Sequence, residues 1–369
     1  MTHVFVGPHP DDVALSCGGL IASLRELGQN VAIVTVFSGT DVNSAGTPSN
    51  GGNGLTTYQR EALGFGSKTM WPVTEAFNRA HIASDEPVYG DPELLPAWAA
   101  TDDRMEATQT DADAAAKRFW QRSSWYRRAS VRNEALAGQP IIDELPTQGA
   151  VLTEEIVDAA TAGEAMARRR LEEERYALFA EASVVFLDLP DAVFRGYAND
   201  DELLNAPRDD DSAPFEILRR EIARLEPQKL YLPLGVGDHV DHQLCRSVGV
   251  RLLQDGRRWV MPGPEYAGIV TFYEDFPYAW WSDFSQLSDL PPTAFAGIPD
   301  DIAIGPEYAD IGDQLERKIT GINIYASQID RLFTGTKEMA RQTRAYARKV
   351  ALLSGSGGSA ERYWSTQLA

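Results

Sequence analysis

Short runs of apolar and β-branched residues alternate along the chain with stretches whose apolar residues recur at helical spacing. His3–Gly7 (HVFVG) reads as a first strand, stopped by Pro8. Leu15–Leu27 follows as an amphipathic helix, with Leu20, Leu24 and Leu27 on one stripe and Gly28 as its stop. Val31–Phe37 (VAIVTVF) is apolar throughout, the signature of a strand buried on both faces. Further strands are predicted at Val184–Leu187, Lys229–Leu234 and Ile269–Tyr273, with helices over about 164–182 and 214–226 between them. Strand and helix in alternation predict βαβ units. Right-handed crossovers wind them into a Rossmann-like α/β sandwich around a mostly parallel sheet.

One segment breaks this rhythm. After the second strand the chain enters SGTDVNSAGTPSNGGNG, a Gly/Ser/Asn loop with no power to form a core. A mixed region follows, with a helical piece at Ala112–Asn133. We read residues 1–40 and 161–369 as one α/β core and 41–160 as an insertion. The insertion carries Trp71, Trp98, Trp120 and Trp125, and a basic stretch of Lys117, Arg118, Arg122, Arg127, Arg128 and Arg132. Such a helix packs its Trp face and solvates its Arg face; a lid, a specificity wall or an oligomer contact is the functional alternative. Near the end, residues 353–361 (LSGSGGSAE) read as a flexible connector.

Composition narrows the partners. The 369 residues are 43% hydrophobic and 24% charged, ordinary for a globular chain with a sizeable core. Acidic residues number 54 and basic ones 34, a net charge of −20. That surplus repels phosphate backbones and anionic membrane surfaces, so no nucleic-acid partner is expected. Two cysteines, Cys17 and Cys245, make neither a disulfide framework nor a four-cysteine metal site, and each suits a small apolar packing role. The N-terminus has no basic flank and no long apolar run, and no stretch reaches ~18 apolar residues. A cytoplasmic chain without a membrane span is therefore expected.

The five histidines carry more information. Pro8-His9-Pro10-Asp11-Asp12 follows the first strand directly and leads into a helix containing Gly18-Gly19. In open α/β sheets ligands bind beyond the carboxyl ends of the strands, where the strand order reverses. The two prolines stiffen the turn. A His and an Asp at this separation are an ordinary ligand pair for a first-row metal, and a second carboxylate beside them can take protons. Gly237-Asp238-His239-Val240-Asp241-His242 follows the strand KLYLPL. In a 3-2-1-4-5 order that strand lies beside the first, and both motifs meet at one edge. His3 and His81 have no ligand partner at useful spacing.

P-H-P-D-D after the first strand and H-x-D-H after a later one resemble the LmbE-like, or PIG-L, family of zinc-dependent deacetylases. Its members include deacetylases of N-acetylglucosaminyl-phosphatidylinositol and of the sugar precursors of mycothiol and bacillithiol. The likeness covers residues 1–40 and about 165–275, including Phe186-Leu-Asp-Leu-Pro-Asp191, and returns in a Lys-containing helix leading to Tyr325-Ala-Ser-Gln328. Family loops corresponding to 41–160 are much shorter. The resemblance implies one zinc per chain on His9, Asp12 and His242, with Fe(II) or Co(II) satisfying the same ligand types. It implies Asp11 as general base, His239 as the group that stabilises the oxyanion and protonates the leaving amine, and Asp241 as the residue that orients His239 and keeps it charged. Arg170, paired with Glu173, and Ser38 are the candidate substrate contacts, with a solvated helix face as the bland alternative for Arg170.

The expected activity is hydrolysis of the acetyl amide of an N-acetylated amino sugar or glycoconjugate, with the insertion favouring a substrate larger than a monosaccharide. An amidase acting on a thiol-sugar conjugate or a natural-product acyl amide stays open, as does a non-catalytic sugar-binding protein on the same fold. The partner expected is a small molecule, with a homo-oligomer as an open option.

Overall fold

In a computed structural model of the protein, residues 1–40, 54–55, 157–212, 214–255, 266–281 and 296–368 are described. Strand β1 (Thr2–Gly7) runs into helix α1 (Asp12–Glu26), and the chain returns as β2 (Asn30–Thr35). Gly28 at φ 71° makes the turn between them, as its place after the helix predicts. Two short pieces, β3 (Gly54–Leu55) and β4 (Val157–Asp158), pair antiparallel. Then come α2 (Ala159–Ala180), β5 (Ser183–Phe186), α3 (Asp200–Leu203), α4 (Phe215–Leu225) and β6 (Lys229–Pro233). Helix α5 (Val240–Asp255), β7 (Val270–Tyr273) and α6 (Tyr278–Trp281) complete the alternating part. The chain closes with β8 (Ile302–Asp310), α7 (Leu315–Ile322), α8 (Ala326–Leu332), α9 (Thr336–Leu353) and β9 (Ala360–Leu368).

The strands form a seven-stranded sheet in the order β5-β2-β1-β6-β7-β9-β8. The first five are parallel, in the 3-2-1-4-5 order expected of a doubly wound sheet. The other two were not expected. β9 pairs antiparallel with β7, and β8 pairs antiparallel with β9 from Ile302↔Leu368 to Asp310↔Ala360. The Gly/Ser run read as a loose connector is the turn into β9, whose Tyr363 and Trp364 are buried.

Alternation along each strand builds the two faces. Val4 and Val6 of β1, Ala32 and Val34 of β2, and Leu230 and Leu232 of β6 join one core with Leu218 and Ile222 of α4 and Leu244 and Val248 of α5. The residues between them, Phe5, Ile33 and Tyr231, join the opposite core with Val13, Cys17 and Ile21 of α1 and Tyr176 of α2. Cys17 and Cys245 are free and buried, as packing residues should be. Gly19 lets α1 seat closely: a Cβ there would fall 2.6 Å from Ile311.

Most of the 41–160 segment, including its tryptophans, its basic stretch, His81 and the Ala112–Asn133 helix, lies outside the described residues. Among the described residues no helix is long and apolar enough to cross a membrane.

Candidate functional site

The site grows from two strand ends. β1 and β6 are neighbours, with Phe5 paired to Tyr231, so the turns after them emerge side by side. β2 lies beyond β1 and β7 beyond β6, which places both turns where the strand order reverses. After β1 the chain passes through Pro8-His9-Pro10 to Asp11, whose φ of 119° is strained for a residue with a side chain. The strain is held from outside: the Asp11 N–H donates to Glu173 Oε2 of α2 at 3.2 Å. That glutamate also accepts from the Tyr325 hydroxyl at 2.6 Å and from Thr35 Oγ1 at 3.3 Å. After β6 the chain turns through Gly237 (φ 90°) and Asp238 (φ 61°), and a Cβ on Gly237 would fall 2.7 Å from the Tyr278 ring. This turn delivers His239 just before α5 and His242 in its first turn.

His9, Asp12 and His242 converge, with one donor atom from each within 4.8 Å of the others and all three side chains buried. Asp12 Oδ2 lies 3.3 Å from His9 Nδ1 and 3.5 Å from His242 Nε2, and it accepts the His9 backbone N–H at 2.7 Å. The far side of each ring meets a carboxylate. His242 Nδ1 is 2.7 Å from Asp275 Oδ1, and His9 Nε2 is 2.9 Å from Asp241 Oδ2. A carboxylate only accepts, so these outer nitrogens carry hydrogens and the inner ones face Asp12. Imidazoles backed by carboxylates are the usual arrangement behind a metal ligand. Burial alone would lower the pKa of His9, yet Asp191, Asp12 and Asp241 together push it up to about 10. The field around His9 thus draws positive charge. Two imidazole nitrogens and a carboxylate oxygen, held in that field, fit a divalent metal ion.

Asp11 and His239 line the same cavity as His9 and Asp12, with Gln328 of α8 on another wall. Burial, and then the neighbouring Asp12 carboxylate, push Asp11 up to about 8. Arg169 opposes this: its guanidinium lies 3.7 Å from Asp11 Oδ2 and 3.5 Å from Asp191 Oδ2. His239 is held well below the ordinary histidine range by burial and by His9 and His242. Its Nδ1 accepts the Asp241 backbone N–H at 3.2 Å, which leaves Nε2–H as the donor of a neutral ring.

Three of the expected residues make contacts beyond those the resemblance implies. The arginine at the cluster is Arg169; Arg170 pairs with Asp188 and lies over the Phe186 ring, in a neighbouring pocket. Adjacent helix positions lie about 100° apart, so a run of three arginines hides which one faces inward. Ser38 is fully buried, lines that second pocket and accepts the Asp188 N–H. Asp241 orients His239 through its backbone N–H, and against burial its carboxylate charge acts to raise that ring's pKa. The carboxylate oxygens bind His9 Nε2, the Ala192 N–H and the Arg195 guanidinium. Asp191, Asp275 and Arg195 also belong to the site and were missed. Asp275 follows strand β7 as His9 follows β1 and His239 follows β6, so its place at a strand end was the available signal.

Residues 4–78 match the PIG-L family model, described as GlcNAc-PI de-N-acetylase. The chain is also similar to a curated deacetylase over a longer stretch. It is 31% identical over 197 residues to the 2'-N-acetylparomamine deacetylase of Streptomyces fradiae, a match covering 52% of this chain. The match spans 62% of that relative's length. A teicoplanin-pathway deacetylase solved with bog has the same fold, at TM-score 0.55 and 15% identity over 100% of this chain and 99% of that one. The zinc-inhibited form of teicoplanin deacetylase gives TM-score 0.54 and 16% identity, over 100% and 99% of the two chains. Both likenesses concern the fold alone, the α/β sheet with its flanking helices.

Proposed function

We propose that this protein is a metal-dependent N-deacetylase that cleaves the acetyl amide of an N-acetylated amino sugar or its glycoconjugate. The observation that carries the reading is the convergence of His9, Asp12 and His242, each imidazole backed by a carboxylate, beside an Asp11 that is buried yet lines the cavity. We take the ion to be zinc, one per chain. When bound, it supplies a Lewis acid that polarises the amide carbonyl and makes water acidic.

The protein's own residues divide the remaining work. Asp11, with a pKa pushed up to about 8, is a stronger base than an ordinary carboxylate and takes the attacking water's proton at its oxygen. His239 presents Nε2–H to the carbonyl oxygen as negative charge develops there. The proton held on Asp11 is then available to the departing nitrogen, and acetate and a free amine result. Arg169, between Asp11 and Asp191, fixes the base and offers a cationic wall to polar substrate groups. We propose residues 41–160 as a specificity region and the cytoplasm as the setting.

Support for the acetylated-sugar class comes from the relative named for 2'-N-acetylparomamine and from the family description naming a GlcNAc lipid. An acetate-release screen tests it, with N-acetylglucosamine, its glycosides and mono-N-acetylated aminoglycosides, each with and without chelator. Release that chelator abolishes supports the reading. Release of only longer acyl chains from non-sugar amides would replace it with the amidase reading.

A further inference from the structure

His9 belongs to two overlapping donor sets. One is His9, Asp12 and His242; the other is His9, His239 and Asp241, likewise buried and with its donor atoms within 4.8 Å of one another. By ligand type alone the second set would hold a divalent cation as well. The difference lies in what stands behind Asp241.

Arg195 reaches Asp241 Oδ1 through its NH2 group. The guanidinium is fixed on its other sides too. It makes two-pronged contact with Asp211 at 2.9–3.2 Å, donates to the Pro190 carbonyl at 2.7 Å and lies over the Phe37 ring at 4.6 Å. Asp211 in turn accepts from the Tyr197 hydroxyl at 3.0 Å. The Asp241 side chain has no exposure, so this contact is made away from water, where a charge is screened least. A fixed cation against Asp241 cancels the charge a metal would need and repels a second cation placed beside it. It also holds the carboxylate so that Oδ2 faces His9 Nε2, which keeps the hydrogen on that nitrogen and leaves Nδ1 turned to Asp12.

We propose that Arg195 is the positioning residue that decides which donor set holds the metal: it reserves Asp241 as the hydrogen-bond partner of His9 and so confines the ion to His9, Asp12 and His242. This rests on the metal-site reading above and goes beyond it, because Arg195 touches neither ion nor substrate in that account.

The test uses the whole protein stripped of metal and titrated with Zn²⁺ or Co²⁺ alone. Wild type is expected to bind one ion. Arg195→Gln is expected to bind its first ion about 10–100-fold more weakly, the usual cost of removing an outer partner of a metal ligand. It is also expected to take up a second ion in excess metal and to show a changed Co²⁺ visible spectrum. Arg195→Lys, which keeps the charge, is expected to recover the single-ion stoichiometry. Asp211→Asn, which loosens the arginine without touching Asp241, is expected to move affinity in the same direction by less. It serves as the reporter should Arg195→Gln fail to fold, as judged by its thermal melt. One ion, wild-type affinity and an unchanged Co²⁺ spectrum in the folded variant would overturn the role of Arg195. Absence of any bound ion in wild type would instead overturn the metal-site reading itself.

Discussion

His9 and His242 each stand before a carboxylate, yet the two carboxylates are anchored differently. Asp275, behind His242, receives the backbone N–H groups of Gly235 and Val236 at 2.8 and 2.9 Å. It pairs with His242 and also feels the Arg246 guanidinium, and burial pushes its pKa up. Asp241, behind His9, receives one backbone N–H from Ala192 and the Arg195 guanidinium. Burial would raise Asp241 as well, but Arg195 and His9 outweigh it and hold the carboxyl well below the usual range. One arm of the site is thus built into the turn after β6, where backbone geometry supplies the donors. The other depends on one side chain from the segment after β5. A backbone donor survives side-chain substitution; a guanidinium does not. The His9 arm is therefore the adjustable half of the site, and the His242 arm the fixed half.

The largest effect should come from the ligands themselves. His242→Ala removes one of the set's three donors, so the purified variant should retain no ion by metal analysis and release no acetate. Asp11→Asn should separate chemistry from binding: the ion stays, and kcat falls by about 10²–10⁴-fold, the usual worth of a positioned base. Unchanged turnover would remove Asp11 from that role. Asp241→Asn and Asp275→Asn sharpen the contrast between the arms. Each should weaken metal binding by about 10–100-fold. Arg195→Gln should add nothing further in the Asp241→Asn background and its full effect in the Asp275→Asn background, because only the first pair shares a contact. Equal additivity in both would merge the two arms into one network. The smallest contrast is between adjacent arginines. Arg169→Ala should lower kcat/KM by about 10–100-fold as a partner of Asp11. Arg170→Ala removes a part-exposed ion pair, worth about 0–1 kcal/mol, and should leave kinetics nearly unchanged.

The parallel half of the sheet was legible in the sequence because burial on both faces leaves continuous apolar runs such as VAIVTVF. The antiparallel edge was not. β8 mixes Pro, Gly, Glu and Asp among its apolar residues and is only part buried, so it shows no run, and β9 hides behind its Gly/Ser turn. The residues of HPDD and HVDH were legible because both motifs sit directly after strands that had to be neighbours. Arg195, Asp191 and Asp275 were not, because nothing in local spacing says which loop carboxylate or guanidinium will fold back onto a histidine. The same limit hid that the Asp241 carboxylate, besides acting against burial to raise the pKa of its sequence neighbour His239, reaches across to His9.

The most direct test of the central claim is a stoichiometric reconstitution. Metal-stripped protein is titrated with Zn²⁺ while acetate release from an N-acetylated amino sugar is followed in the same sample. The account predicts that release rises from nothing and reaches its plateau at one ion per chain, and that His242→Ala stays inactive throughout. Full release from the metal-stripped protein, or an ion bound with equal affinity by His242→Ala, would contradict it.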